Sequence, residues 1–246
     1  MGTSQSYSGF SKNPNWGPLS GSITSACDDG QISQDKLGRI TNRFVNLLGG
    51  SSVGGRGGSK IGGKAGIKTA AKLGGFFADI SNVGFSQALI NSGFDFDGSQ
   101  EPKDVINHLL EYCSGVASSL DDTAAKEAER QLLEEISSSA KDLKELEQNF
   151  QDKINEYGIE DLLILYDAYY IYEHLSIDFY EKLVTEKGKN KCSNLFRQLK
   201  DFLIEKVRNL SKKMDLRKIQ WNSFEGDRLV KNIFEDTLKA FEGYDY

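Results

Sequence analysis

The sequence predicts an all-α protein: a helical bundle in the C-terminal half, preceded by a flexible Gly/Ser-rich N-terminal tail and a glycine-rich middle segment. Three observations lead to this prediction. Apolar residues recur three and four positions apart through most of the chain. No segment alternates polar and apolar residues convincingly, as a half-buried strand would. Only three prolines interrupt the 246 residues.

The first 32 residues are polar and rich in Gly and Ser, which is typical of a flexible tail. The chain is 38% hydrophobic, which is low for a compact domain, and the deficit lies in its N-terminal third. We therefore expect the packed core to begin late. The predicted parts are a flexible tail over 1–32, a helix with a glycine-rich segment and short helices over 33–98, and an acidic helical bundle over 99–246.

The first helix is predicted to begin after Ser33, because an acidic first turn with Asp35 follows. Gly49 and Gly50 end it, since glycine readily adopts the left-handed conformation found after helices. Its apolar face consists of Leu37, Ile40, Phe44, Leu47 and Leu48.

The glycine-rich segment contains nine glycines among residues 49–66, a composition that is very costly in an isolated helix. One interpretation is a flexible linker. The alternative is a helix packed against a partner, because every fourth residue from Gly50 to Gly66 is glycine and these would form one smooth face. The sequence leaves both interpretations open.

Helical spacing continues after this segment. An apolar face over 65–80 and a short run over 85–91 predict two helices. Ser99 is the predicted N-cap of the next helix, with Pro102 in its first turn. A long charged helix is then predicted over 121–154.

The most hydrophobic segment, 159–183, follows the interruption at Gly158 and is apolar on more than one face. Such a helix is normally central to a bundle. A turn over 187–191 separates it from an amphipathic helix over 195–210, and a last helix spans 226–241.

Charge and composition exclude several classes of protein. The net charge of -6 combines +5 in residues 1–80 with -11 in the remainder, and an acidic body disfavours direct binding to nucleic acid. The sequence shows neither a membrane-spanning stretch nor a secretory signal, so we expect a cytoplasmic protein without membrane segments. Cys27, Cys113 and Cys192 lack metal-site spacing and are expected to be free thiols.

No catalytic constellation emerges. Residues 58–64 match the GxxxxGK pattern of a phosphate-binding loop, but Ala65 replaces the Ser or Thr that would hold magnesium, and a helix rather than a strand precedes the match. His108 and His174 lie in predicted helices and are interpreted as surface or core-edge residues. We therefore predict no enzyme activity, no cofactor and no metal.

The N-terminus carries the remaining chemistry. Removal of Met1 would expose the α-amine of Gly2, an unhindered nucleophile whose pKa near 8 leaves part of it neutral. Residues 1–6 also match the MGxxxS pattern for myristoylation. One acyl chain alone binds membranes only marginally, so an N-acylated, membrane-associated protein remains an alternative.

The sequence opens with Met1-Gly2-Thr3-Ser4-x-Ser6 and continues with Trp16-Gly17-Pro18-Leu19, a glycine-rich middle and an acidic helical half. This arrangement resembles the QatB family of the bacterial Qat anti-phage defence system. The resemblance implies a non-enzymatic component. Its implied partners are a QueC-like (QatC-like) enzyme, a QatA-like ATPase and a TatD-like nuclease.

The resemblance further implies that Gly2 accepts a 7-deazaguanine group from the QueC-like partner through an amide. The partner would recognise the small residues after Gly2 and the larger residues further along the tail. These recognition residues are Thr3, Ser4, Ser6, Tyr7, Phe10, Trp16 and Pro18. Gly9-Phe10 departs from the Gly-Pro pair expected there. A helical scaffold or adaptor of a multiprotein complex, with an unmodified disordered tail, is a further alternative.

Overall fold

A computed structural model describes residues 14–50, 63–208, 210, 216–221 and 223–243. Within these ranges the chain is helical and contains no strand, which confirms the prediction of an all-α fold. A short 3-10 helix lies at Leu216–Lys218. The α-helices are α1 (Trp16–Ala26), α2 (Gln34–Leu48), α3 (Lys64–Val83), α4 (Phe85–Asn91), α5 (Pro102–Cys113), α6 (Leu120–Ser137), α7 (Leu143–Lys187), α8 (Lys189–Val207) and α9 (Phe224–Glu242).

The long helix α7 lies at the centre of the bundle and packs against α3, α6, α8 and α9. Tyr166, Tyr170 and Ile171 are fully buried on it. The prediction that 159–183 is central is therefore confirmed. Gly158 interrupts α7 with a φ of 81°, a backbone conformation that glycine adopts without a Cβ clash.

Several helices begin or end at the residues that local sequence patterns predicted. Ser33 is the N-cap of α2, and its hydroxyl accepts a hydrogen bond from the Lys36 amide at 3.3 Å. Gly49 ends α2 in the left-handed conformation, with a φ of 115°. Helix α4 spans the predicted residues 85–91.

Two helix starts differ from the prediction. Helix α5 begins after Glu101 rather than Ser99, because Glu101 forms a capping box. The single helix predicted over 121–154 is divided into α6 and α7. Asp142 begins the second of these, since its carboxylate caps α7 by accepting a hydrogen bond from the Glu145 amide at 2.8 Å.

The core begins earlier in the chain than expected. Leu19 and Ile23 of α1 are completely buried and belong to the same core as the helices of the C-terminal half. The region assigned to a flexible tail over 1–32 therefore contains a helix. Its own sequence, WGPLSGSITSA, has weak helix propensity, so packing against the body must stabilise it.

The glycine-rich segment lies largely outside the described residues, at 51–62. Gly50 and Gly63 border it with positive φ angles of 63° and 95°. The linker and packed-helix interpretations both concern residues that lie mostly outside the described part of the chain, so both remain predictions. Gly66 does pack closely, because a Cβ there would lie 3.1 Å from the Tyr170 ring.

Candidate functional site

Most of the predicted recognition residues lie before the described part of the chain. The acceptor Gly2 and five recognition residues lie outside the described residues: Thr3, Ser4, Ser6, Tyr7 and Phe10. Trp16 and Pro18 lie in the first turn of α1. The structure therefore describes the base of the predicted site, where the N-terminal segment joins the helical body.

Trp16 fixes the start of α1 to the body. Its half-buried indole stacks on the ring of Phe179 in α7, with the ring centroids 4.8 Å apart and the planes inclined by 20°. Offset stacking of this kind stabilises an aromatic pair beyond the area that it buries. In this conformation the Trp16 indole contacts the chain's own core.

Pro18 is exposed, but its carbonyl oxygen is not free. It accepts hydrogen bonds from the Ser22 hydroxyl at 2.9 Å and from Arg43 Nη1 at 3.1 Å. Arg43 belongs to α2 and also donates to the Ser22 hydroxyl. The first turns of α1 are thus held by α2 on one side and by α7 on the other.

The opposite end of α1 is held by an ion-pair cluster. The Asp28 carboxylate lies 2.6 Å from Lys187 Nζ and 2.8 Å from Lys191 Nζ. These hydrogen bonds, with that of Lys187 the larger cause, lower the pKa of Asp28 to about 2. Next to the cluster, the Gly30 carbonyl accepts a hydrogen bond from Asn194 Nδ2 at 2.7 Å.

A second cluster of polar groups lies where the glycine-rich segment meets α3. Asp121 accepts hydrogen bonds from the backbone amides of Gly63 at 3.1 Å and Ala65 at 3.0 Å. The hydroxyl of Tyr170 donates to the same carboxylate and accepts from the Gly63 amide at 2.7 Å. Burial, foremost, raises the pKa of Tyr170 well above its ordinary value.

Asp121 therefore caps α3 from a distant part of the chain. Its charge also complements the positive end of the helix dipole. A phosphate-binding loop would use these same amides for a phosphate, so the carboxylate's position supports the interpretation that the match over 58–64 arises by chance. Residues 58–62 of that match lie outside the described residues.

His174 lies beneath this cap and is only 1% exposed, so the expectation of a surface or core-edge position is wrong. Its Nε2 is 3.9 Å from Asp121 Oδ1, and its Nδ1 is 3.4 Å from Asp178 Oδ2. His108 agrees better with a core-edge position. It is half-buried, and its Nε2 lies 2.8 Å from the Ser92 hydroxyl.

An open cleft of about 510 Å³ adjoins the capped end of α3. Lys64 and Lys68 line it together with Asp121 and Asp122, so its lining contains both cationic and anionic groups. Among the described residues, no group of three His, Cys, Asp or Glu side chains could hold a metal ion. None of the described helices is both long and apolar enough to cross a bilayer.

Sequence reasoning missed two arrangements. It recognised Asp121 only as the start of a helix, not as the cap of α3, because the partners Gly63 and Asp121 are 58 positions apart. It treated Cys27 and Cys192 as scattered thiols, although the fold brings their sulfur atoms to 3.8 Å. A periodic pattern carries no signal for contacts at such separations.

Comparison with known proteins gives one family. A family model described as "Qat anti-phage system associated protein QatB" matches residues 54–241, about three quarters of the chain. No curated protein and no solved structure matches the chain. The matched range begins inside the glycine-rich segment and ends in α9, so it includes the capped start of α3 and the whole of α7.

Proposed function

This chain belongs to the QatB family of the Qat anti-phage system, and from that premise we propose that it is a non-enzymatic defence component whose Gly2 is modified by a partner enzyme. The partner is QueC-like and attaches a 7-deazaguanine group through an amide. A QatA-like ATPase and a TatD-like nuclease complete the assembly. The proposal assigns no direct nucleic-acid binding to the chain itself.

The observation that carries this proposal is an MGTSxS opening that precedes, by nine intervening residues, a helix fixed to the body. Contacts from α2, α7 and α8 hold both ends of α1. Residues 2–15 precede this fixed point, and a fully extended chain of that length reaches at most about 50 Å. The Gly2 amine can therefore enter a partner's active site only within this distance of the start of α1.

The chemistry suits an N-terminal glycine. The partner activates a deazaguanine carboxylate as an acyl adenylate, with release of pyrophosphate from ATP. The neutral Gly2 amine attacks the acyl carbon, the new C–N bond replaces the C–O bond to AMP, and the amine loses a proton. Thr3, Ser4 and Ser6 are small, so they let the terminus enter a narrow channel.

Recognition extends along the rest of the segment. Tyr7 and Phe10 supply aromatic area, which is the kind of contact that contributes most at protein interfaces. Trp16 and Pro18 form the base of this recognition surface. Because the Trp16 indole stacks on Phe179, its contribution to the partner is to fix the direction in which the preceding residues leave the body.

The test co-expresses the full chain with the QueC-like partner and measures the mass of the N-terminal peptide together with protection against phage. We expect a mass increase on Gly2 in the wild-type chain. Replacing Gly2→Pro, which offers only a hindered secondary amine, should abolish both the increase and protection. Gly21→Ala is a suitable control, because the new methyl group meets no heavy atom within 4 Å.

The alternatives give different results in the same experiment. A scaffold with an unmodified N-terminus predicts an unshifted peptide and full protection after residues 2–13 are deleted. An N-acylated protein predicts a fatty-acyl mass and co-sedimentation with membranes. Either result would contradict the proposed modification.

A further inference from the structure

Two cysteines from distant parts of the sequence meet at the end of α1. Cys27, the C-cap of α1, and Cys192, in the first turn of α8, are separated by 165 positions, yet their sulfur atoms are 3.8 Å apart. Cys27 is 2% exposed and Cys192 is completely buried. Both are free thiols in the structure. A disulfide has an S–S distance of about 2.05 Å, so bonding requires the sulfur atoms to approach by less than about 2 Å.

Polar contacts next to the pair hold the two backbones in place. Directly after Cys27, the Asp28 carboxylate binds Lys187 and Lys191, which precede Cys192. A second set of contacts joins the same two segments two to six residues after the cysteines. The Gly30 carbonyl accepts from Asn194 and Gln198, and the Ile32 amide donates to Gln198 Oε1 at 2.9 Å.

Because Lys191, Asn194 and Gln198 lie on consecutive turns of α8, their contacts keep the two thiols from sliding past each other or rotating apart. Their alignment is therefore a property of the folded chain rather than a chance approach of two flexible side chains. Cys113 provides an internal comparison. It is also buried, but it lies beside the Glu129 carboxylate instead of a second thiol.

We propose that Cys27 and Cys192 are a redox modification site that forms a reversible intramolecular disulfide with a low-molecular-weight disulfide such as oxidised glutathione. One cysteine, as its thiolate, attacks a sulfur of the oxidant, forming a mixed disulfide and releasing one reduced thiol. The second cysteine then attacks the mixed disulfide at the protein sulfur and releases the other. The chain loses two protons and two electrons, which the oxidant takes up as it becomes two reduced thiols.

Burial makes this site slow to react in the closed structure. Desolvation, more than the neighbouring Cys192, raises the pKa of Cys27 to about 12, so little reactive thiolate forms there at neutral pH. The first attack therefore needs a transient opening of the last turn of α1, and the second attack follows when that turn closes.

The disulfide would join α1 covalently to α8. Helix α1 carries the segment that precedes Trp16, so oxidation would fix the base of that segment more firmly. This consequence for the presentation of Gly2 rests on the proposed function, whereas the disulfide itself does not.

The experiment uses the full reduced chain without any partner, treated with oxidised glutathione and mapped by mass spectrometry without reduction. We expect a Cys27–Cys192 cross-linked peptide, a loss of two hydrogens and a Cys113 thiol that remains available for alkylation after unfolding. Cys27→Ser and Cys192→Ser should each abolish the cross-link, whereas Cys113→Ser should retain it. Recovery of mixed disulfides without a Cys27–Cys192 cross-link, or of cross-links that involve Cys113, would overturn the proposal.

Amide hydrogen exchange over residues 16–26 provides the second measurement. The oxidised chain should exchange these amides more slowly than the reduced chain, and Cys27→Ser treated in the same way should show no change. A cross-link without slower exchange would overturn the inference that oxidation fixes α1. Neither readout involves Gly2, so both can fail or succeed independently of the proposed modification.

Discussion

The hydrogen bond from Tyr170 to Asp121, the residue that caps α3, predicts a measurable coupling between these two side chains. Tyr170→Phe removes a buried hydrogen bond to a carboxylate, which contributes roughly 1.5–3 kcal/mol to stability. Asp121→Ala removes the cap from two backbone amides, at about 0.5–2 kcal/mol. It also deprives the Tyr170 hydroxyl of its acceptor, which adds roughly 1–3 kcal/mol.

The two losses share one hydrogen bond, so they should not add. In a double-mutant cycle we expect a coupling of roughly 1.5–3 kcal/mol. The free energy of unfolding is obtained from urea titration of the helical circular dichroism signal. Tyr180→Phe is the matched control, because its hydroxyl contacts Ser193 at 2.9 Å on the exposed surface and its loss should cost no more than about 0.5 kcal/mol. A coupling below about 0.5 kcal/mol would refute the stabilising hydrogen bond between Tyr170 and Asp121.

Three further predictions concern stability and are measured by the same unfolding assay. Gly74→Ala should destabilise the fold by roughly 1–3 kcal/mol, because the new Cβ would lie 2.2 Å from the Trp221 ring. Gly21→Ala should instead stabilise α1 by about 0.5–1 kcal/mol, because its Cβ meets no heavy atom within 4 Å. Equal effects of the two substitutions would contradict this difference in packing. Burial raises the pKa of Glu129 from 4.5 to about 7, so the folded state favours the protonated carboxyl. The contribution of this group to folding stability is therefore fully present below pH 4.5 and is lost as the pH rises to 7. The loss is roughly 3 kcal/mol, and Glu129→Gln should remove this share of the pH dependence; an unchanged profile would contradict the assignment. Trp16→Ala should lower the free energy of unfolding by roughly 1–2 kcal/mol and speed amide exchange in α1, while Trp16→Phe should retain most of the stacking on Phe179. Equal exchange in the two variants would show that the stacking does not hold α1.

Local chemistry explains which parts of the fold could be predicted. Ser33 and Gly49 mark the ends of α2 because capping and left-handed backbone depend on residues within one turn. The central position of 159–183 follows from a helix that is apolar on more than one face. Both features require knowledge of only a short stretch of sequence.

The parts that were missed depend on distant contacts. Helix α1 has glycines, serines and a proline, and it becomes helical because Trp16 and Leu19 pack against the body. The apolar content was taken over the whole first third of the chain. That average includes the polar segments around α1 and therefore hides the few apolar residues of this helix. The cap of α3 by Asp121 likewise depends on how α6 packs beside α3, which no local pattern encodes.

The mass of the N-terminal peptide, from the full chain co-expressed with the QueC-like partner, tests the central claim most directly. The proposal predicts a peptide that begins at Gly2 and carries one added 7-deazaguanine acyl group on its α-amine. Fragmentation should place the added mass on Gly2 itself and leave Thr3 and Ser4 unchanged. An unmodified peptide that begins at Gly2, recovered from a co-expression in which the partner is active, would contradict the account.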